Sequence, residues 1–269
     1  MITQISWDII KYLSLVFKSG NSFFNILPMR MRPLLLILLI FLCARLLPAQ
    51  TPIARDTFNI AASSMRYPHQ LKKWGFRIAA GFSMVLPPKD LLENAIQAPL
   101  VNIHMTFGLP WKFSLEGDVT TILVSNQFAA GPHFGFTKKN FSMNLGWDVA
   151  FCYGQLSQAG FANKTTMWIH YPNLSLGYKL KDIAFTLKGE LVGVSSIVQT
   201  SGSNEVSKTK DFYNGFTAAL YIEQRLWKNH VFIIGFKDSY EKVYWPTWML
   251  FTTFNRFYHI PELSFSWIL

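Results

Sequence analysis

From Phe141 to Tyr153 the chain alternates without a break. Phe141, Met143, Leu145, Trp147, Val149, Phe151 and Tyr153 are apolar or aromatic, and Ser142, Asn144, Gly146, Asp148, Ala150 and Cys152 between them are small or polar. A helix would scatter these two sets around its axis, whereas a strand places them on opposite faces. Strands in soluble proteins usually run about 5–6 residues. A membrane strand needs about 9–11, with apolar side chains toward lipid and polar ones toward the lumen. This run is longer than the soluble norm and its pattern recurs along the chain, so the sequence predicts an all-β, antiparallel, up-and-down transmembrane barrel.

Ten such segments can be drawn, over 75–85, 97–109, 113–124, 127–136, 141–153, 166–178, 183–198, 212–226, 231–240 and 261–269. Eight and twelve strands are the alternatives. Connections near 110, 138, 180 and 227 are short. Most of the others, near 90, 160, 205 and 250, are longer, with 125 a short exception. An even strand number and this asymmetry of turns fit a membrane barrel. Trp111, Phe136, Phe141, Tyr178 and Trp227 cluster beside the short turns, where an aromatic girdle belongs. The runs beginning at Lys112, Asn140 and Asp182 each show a turn residue, then alternation, then a glycine, which reads as hairpin units rather than a solenoid.

Composition agrees with dilution of apolar residues by alternation. Half the chain is hydrophobic and 16% is aromatic, yet the mean hydropathy is only +0.20. The uninterrupted apolar run 34–44 is too short to span a bilayer comfortably. It follows Met29-Arg30-Met31-Arg32 and precedes Leu47-Pro48-Ala49-Gln50, the order of a secretory signal peptide cut near Ala49 or Gln50. Residues 1–49 are therefore set aside as leader, with translation expected to start at Met29 or Met31. Residues 50–74, broken by Pro52 and Pro68, read as a periplasmic lead-in, and 75–269 as the barrel. Of the net charge of +10, the leader carries five Lys or Arg and one acid, and the rest carries twenty against fourteen. Those later positives lie mostly in turns, which suits anionic lipid head groups and argues against nucleic acid. Cys43 falls in the leader, leaving Cys152 alone in the mature chain without an internal disulfide.

The last seven residues, Leu263-Ser264-Phe265-Ser266-Trp267-Ile268-Leu269, are apolar at alternate places back from the terminus. With the leader, this resembles the small outer-membrane β-barrel superfamily, at the level of pattern over roughly 75–269. It departs in ending on Leu rather than Phe or Trp, and no subfamily motif carries functional residues across. The resemblance implies the outer membrane of a Gram-negative cell, lipid contact, insertion through the C-terminal strand by the barrel-assembly machinery, and room for an envelope protein partner.

The polar face projects Arg77, Asn102, Asn144 and a charged set, Glu116, Asp118, Asp148, Lys188, Glu190, Glu223 and Arg225, into a narrow lumen. Ions there must be paired or watered, so the first expectation is an ion-pair network that holds the barrel shut. An enzyme would instead use His104 or His133 as base, oriented by Asp118 or Asp148. No serine-nucleophile, phosphate-loop or zinc-protease motif accompanies them, and no cofactor or metal is expected. His170 reads as an interface residue. The loop 241–259 is unusually aromatic. Its Tyr244, Trp245, Trp248, Phe251 and Phe254 either bind an apolar ligand or partner or fold over the rim. The expected role is non-enzymatic and porin-like: transport or binding of a small or apolar solute, or anchoring of an envelope partner. A lipid-modifying or proteolytic barrel enzyme is the alternative.

Overall fold

The computed structural model describes residues 60–88, 98–122, 124–158, 161–201, 204–209, 212–227, 230–247 and 256–269. The leader and its cleavage site, and Trp248, Phe251 and Phe254, lie outside them. A single helical turn, Ile60–Ser63, precedes eleven strands. These are β1 (Phe76–Val85), β2 (Ala98–Gly108), β3 (Phe113–Ile122), β4 (Ser125–Lys138), β5 (Phe141–Gln158), β6 (Phe161–Leu180), β7 (Ile183–Ser201), β8 (Asn204–Thr209), β9 (Tyr213–Trp227), β10 (His230–Glu241) and β11 (Tyr258–Ile268). Each pairs antiparallel with its neighbour, and β1 closes the ring on β11, Ala79 facing Ile268 and Val85 facing Glu262. Both β8 and β9 pair with β7, at its far and near halves respectively, so they act as one interrupted stave. The result is a closed barrel of ten staves.

All ten expected strands are present, but the rim differs from the expectation. The polar stretches 155–164 and 199–210 are hairpin extensions rather than open loops: Gln155 pairs with Lys164, Gln158 with Phe161, and Ser201 with Asn204. Above the lipid both faces of a strand meet water, so the period-two signal disappears while the ladder continues. Strands β5, β6 and β7 reach 18, 20 and 19 residues, against 10 for β1 and β3. The turn expected at 125–126 sits two residues earlier, because Ile122 pairs with Ser125 and Thr121 with Asn126. β11 also starts at Tyr258 rather than at Pro261.

The exterior is apolar. Phe82, Val101, Leu115, Phe128, Leu145, Trp147, Leu187, Leu191 and Phe236 are all exposed, as lipid-facing side chains must be when no lipid is present. Near the short turns Trp74, Trp111, Phe136, Phe141 and Tyr178 are exposed, with Lys73 over the Trp74 ring and Lys112 over the Phe136 ring. This is an amphipathic belt at interface depth. The β2–β3 turn places Trp111 and Lys112 at φ of 57° and 67°, the two positive values that a tight hairpin of matching twist requires.

Two inward glycines are needed by what lies opposite them. A Cβ on Gly146 would meet the His133 ring at 2.3 Å, and one on Gly177 would meet Pro68 and Tyr67 at 2.5 and 2.7 Å. The wall is thus thinned where a histidine and the pre-barrel segment press against it. If the exterior is lipid-facing, Leu145→Arg at mid-strand will lower refolding stability in bilayers by about 2–4 kcal/mol, and Tyr178→Arg beside the short turns by about 0–1. Equilibrium denaturation in lipid vesicles measures both.

Candidate functional site: a lumen stoppered at both ends

The segment before β1 lies inside the barrel. At its centre the Glu223 carboxylate, on β9 and fully buried, accepts three consecutive backbone N–H groups: Oε1 from Met65 at 2.6 Å and Arg66 at 3.0 Å, Oε2 from Tyr67 at 2.5 Å. Three converging amides offset part of the cost of burying that carboxylate. The Arg66 guanidinium then crosses to Asp118 on β3, 3.2 Å away, while its Cζ stacks 5.0 Å over Tyr221 of β9. β3 and β9 are opposite staves of the ring, so one residue braces the lumen from wall to wall. Arg77 of β1 donates to the Ser64 carbonyl at 2.5 Å, the Tyr67 hydroxyl to the Asn140 carbonyl at 3.0 Å, and the Ser142 hydroxyl of β5 to the Pro68 carbonyl. His69 stacks on Tyr67. Burial, with Arg77 beside it, pushes the His69 imidazole down to about 4, so it is neutral in place.

Above this stopper the wall carries a continuous polar chain. His104 meets Asp118 and His133 meets Asp148, both at 2.8 Å. Glu116 accepts from Asn144 at 2.9 Å and lies 3.5 Å from His133, and Asn173 donates to Asp148 at 2.8 Å. On the other side Lys188 pairs with Glu190 at 2.7 Å, and Lys237 with Glu262 at 2.5 Å. Arg66, Lys188 and Lys237 face Asp118, Asp148, Glu190, Glu241 and Glu262 around a cavity of about 120 Å³.

Past this chamber the inward face turns apolar, and the chain after β10 folds down onto it. The Tyr244 hydroxyl donates to Glu262 at 2.7 Å, and burial together with Glu262 holds that phenol well above its usual range. Trp245, on the short 3-10 turn Trp245–Thr247, is 1% exposed, and its Nε1 donates to the Asn126 carbonyl on β4 at 3.2 Å. The Ser125 hydroxyl donates to the Pro246 carbonyl at 2.8 Å. β4 is the stave opposite β10, so this segment, too, spans the lumen.

The structure therefore brings together Glu116, Asp118, Asp148, His104 and His133 as one network and Lys188 with Glu190 as a second pair. Glu223 serves the stopper instead of the network, and Arg225 lies half-buried beside the turn at 181–182. Lys237, Glu241 and Glu262 escaped the sequence reading, although each falls on the inward parity of its strand. Arg66 carried no signal, since its segment has no period. Tyr244 and Trp245 fold into the barrel mouth. His170 sits between Trp147 and Phe212, its Nε2 3.2 Å from the Ser195 hydroxyl.

No protein-family description and no curated protein matches the chain. Solved structures do resemble it. The CymD monoaromatic hydrocarbon channel is 9% identical with a TM-score of 0.34, covering 73% of this chain and 70% of that one. Neisserial surface protein A is 10% identical with a TM-score of 0.33, covering 72% and 96%. The translocator domain of the autotransporter NalP from Neisseria meningitidis is 7% identical with a TM-score of 0.38, covering 74% and 88%. These neighbours are outer-membrane β-barrels. The likeness is one of fold. The barrel itself rests on the closed ring of strands and its apolar exterior.

The lower stopper should respond to acid. Free histidine titrates near 6.5, and the docked imidazole near 4. The undocked segment binds more protons across that window, so docking is full above about pH 6.5 and weakens as pH falls toward about 4. Protection factors of the Met65–Tyr67 amides, corrected for the intrinsic pH dependence of hydrogen exchange, should be lower at pH 5 than at pH 7.5, and His69→Gln should flatten that difference.

Proposed function

We propose that this chain is a non-enzymatic barrel of the Gram-negative outer membrane that binds or admits a small solute through a lumen its own chain keeps shut at rest. The single observation behind this reading is that both stoppers are segments separate from the wall, each latched to staves on opposite sides of the ring by side-chain contacts. A barrel serving only as an anchor has no need of a chamber between two removable closures. The even number of staves, the short turns at one end and the tall hairpins at the other support an outer-membrane orientation, with short turns toward the periplasm.

A second reading has one observation in its favour. The Thr106 hydroxyl lies 3.4 Å from His104 Nε2, whose Nδ1 meets Asp118 at 2.8 Å, a nucleophile–base–carboxylate order. Against it, the His104 side chain is 3% exposed and the Thr106 hydroxyl also faces Met65 Sδ at 3.9 Å. A substrate could approach only with the stopper out. Hydrolysis of a lipid or peptide ester lost in His104→Ala, with the barrel folded, would favour this reading over the first.

The first reading is tested by planar-bilayer conductance of the full chain, shown folded by heat-modifiable gel mobility. Wild type should be closed or nearly so. Glu223→Ala strands three buried amides, at about 1–3 kcal/mol each; combined with Arg66→Ala, and with Trp245→Ala to release the upper stopper, it should give steady ion-selective openings. Persistent silence from a folded triple variant would remove the case for passage.

A further inference from the structure

The lumen of a membrane barrel is ordinarily polar, and here the chamber lined by Arg66, Asp118, Lys188 and Glu190 obeys that rule. The upper part does not. Ala150 and Cys152 of β5, Met167 and Ile169 of β6, and Val194 and Ile197 of β7 all turn inward and are 5% exposed or less. They are direct cross-strand partners: Ala150 faces Ile169, Cys152 faces Met167, Met167 faces Ile197, and Ile169 faces Val194. Three neighbouring staves thus carry one continuous apolar patch on the side where water or charge is expected. The group that fills it is the Trp245 indole, delivered from the far side of the barrel.

The attachment of that indole is asymmetric. Its segment is fixed at the base, where Asn214 receives the Val243 N–H at 2.9 Å and donates to the Val243 carbonyl at 2.8 Å. Among the described residues, its far end holds to β4 by the Trp245–Asn126 and Ser125–Pro246 hydrogen bonds, both between neutral groups. A base fixed by a two-way amide clasp at Val243 and by the Tyr244–Glu262 bond, and a tip held by two neutral bonds, describe an arm that pivots after Tyr244. When the arm lifts, it leaves an apolar slot with the shape of an indole and one carbonyl acceptor, Asn126, at its edge. A concave apolar site with few, fixed polar groups is the ordinary form of a small-molecule pocket, and the Met167 thioether and Cys152 thiol make this one adaptable.

We propose that this slot is a binding site for small planar aromatic molecules of about indole size bearing one N–H or O–H donor, and that Trp245 is its built-in competitor. The slot gives the solute of the proposed function a chemical class, and in that respect it rests on that reading. Ligand and Trp245 exclude one another, so binding lifts the arm from the upper mouth. The apparent affinity of the intact protein is the intrinsic affinity reduced by the fraction of time the arm is closed.

Free indole is the probe, titrated into the folded full chain carrying 5-fluorotryptophan, with the Trp245 resonance assigned by its loss in Trp245→Phe. In wild type, indole should move that resonance from its buried to its solvent position in a saturable way. Trp245→Ala, lacking the competitor, should bind indole about 10-fold or more tightly, read by calorimetry. Ala150→Phe and, independently, Val194→Phe should abolish binding by filling the slot; either suffices if the other fails to fold. An unmoved wild-type resonance up to the solubility of indole, or Trp245→Ala binding no tighter than wild type, would overturn the proposal and leave Trp245 a fixed stopper. Conductance of the Glu223→Ala, Arg66→Ala, Trp245→Ala variant needs no ligand in the slot, so passage and aromatic binding can fail separately.

Discussion

A ring of ten staves has an interior slightly too wide for its own wall side chains to fill. Barrels of about eight strands reach that limit, and larger ones hold water or a plug. This chain adopts the second solution twice, once from the segment before β1 and once from the segment after β10. Most of the unusual features of the lumen follow from that. A carboxylate with no exposure at Glu223 is tolerable because three backbone amides converge on it. Those amides in turn would be orphans without it, since their segment forms no ladder of its own. Glycines at 146 and 177 are needed because material presses on the wall from inside.

The chamber between the stoppers follows the same logic with charge. Eight ionic groups around one small cavity would be costly if isolated, because removing an ion's partner in a dry site leaves the other charge unsatisfied. Here Arg66 pairs with Asp118 across the lumen, Lys237 with Glu262 between staves, and Lys188 with Glu190 along β7. Asp148 and Glu241 take hydrogen bonds from His133, Asn173, Asn214 and Thr217. His104, Asp118, Glu116, His133, Asp148 and Asn173 link five consecutive strands, and Arg66 ties that network to the opposite wall. Loss of any one of these groups is therefore felt around the ring rather than at one contact. The closure at the lower end and the network in the middle share Asp118, so they are mechanically coupled.

How much of this could be read from the residues alone depends on whether a feature obeys a period. The wall does: Phe141 to Tyr153 announces its two faces, and every stave could be drawn to within a few residues. The inward ions at Glu116, Asp118, Asp148 and Lys188 came with the parity. Parity also held Lys237 and Glu262, but each stands next to apolar neighbours, Phe236 and Leu263, that drew attention to the outer face. The hairpin extensions past 155 and 199 were unreadable as strands because polar residues occupy both faces once the lipid is left behind. Arg66 and the turn it sits on have no period at all. Their placement depends on a partner on β9 that no local pattern identifies. For the loop after β10, aromatic content signalled burial or binding, and the fold of Tyr244 and Trp245 into the mouth depends on an apolar patch contributed by three distant strands.

The bond between Met65 and Glu223 joins residues 158 positions apart. The stopper is synthesised before any stave, yet the carboxylate that fixes it lies on the third stave from the end. Loop closure over such a separation comes late in folding, and this one also needs the walls of β1, β3 and β5 to be standing. The first segment made is thus the last to settle. Until β9 is laid down, the growing barrel has an unfilled bore, and the segment that will fill it has no carboxylate to receive its amides. Sealing of the pore is in this sense a report that the ring is nearly complete.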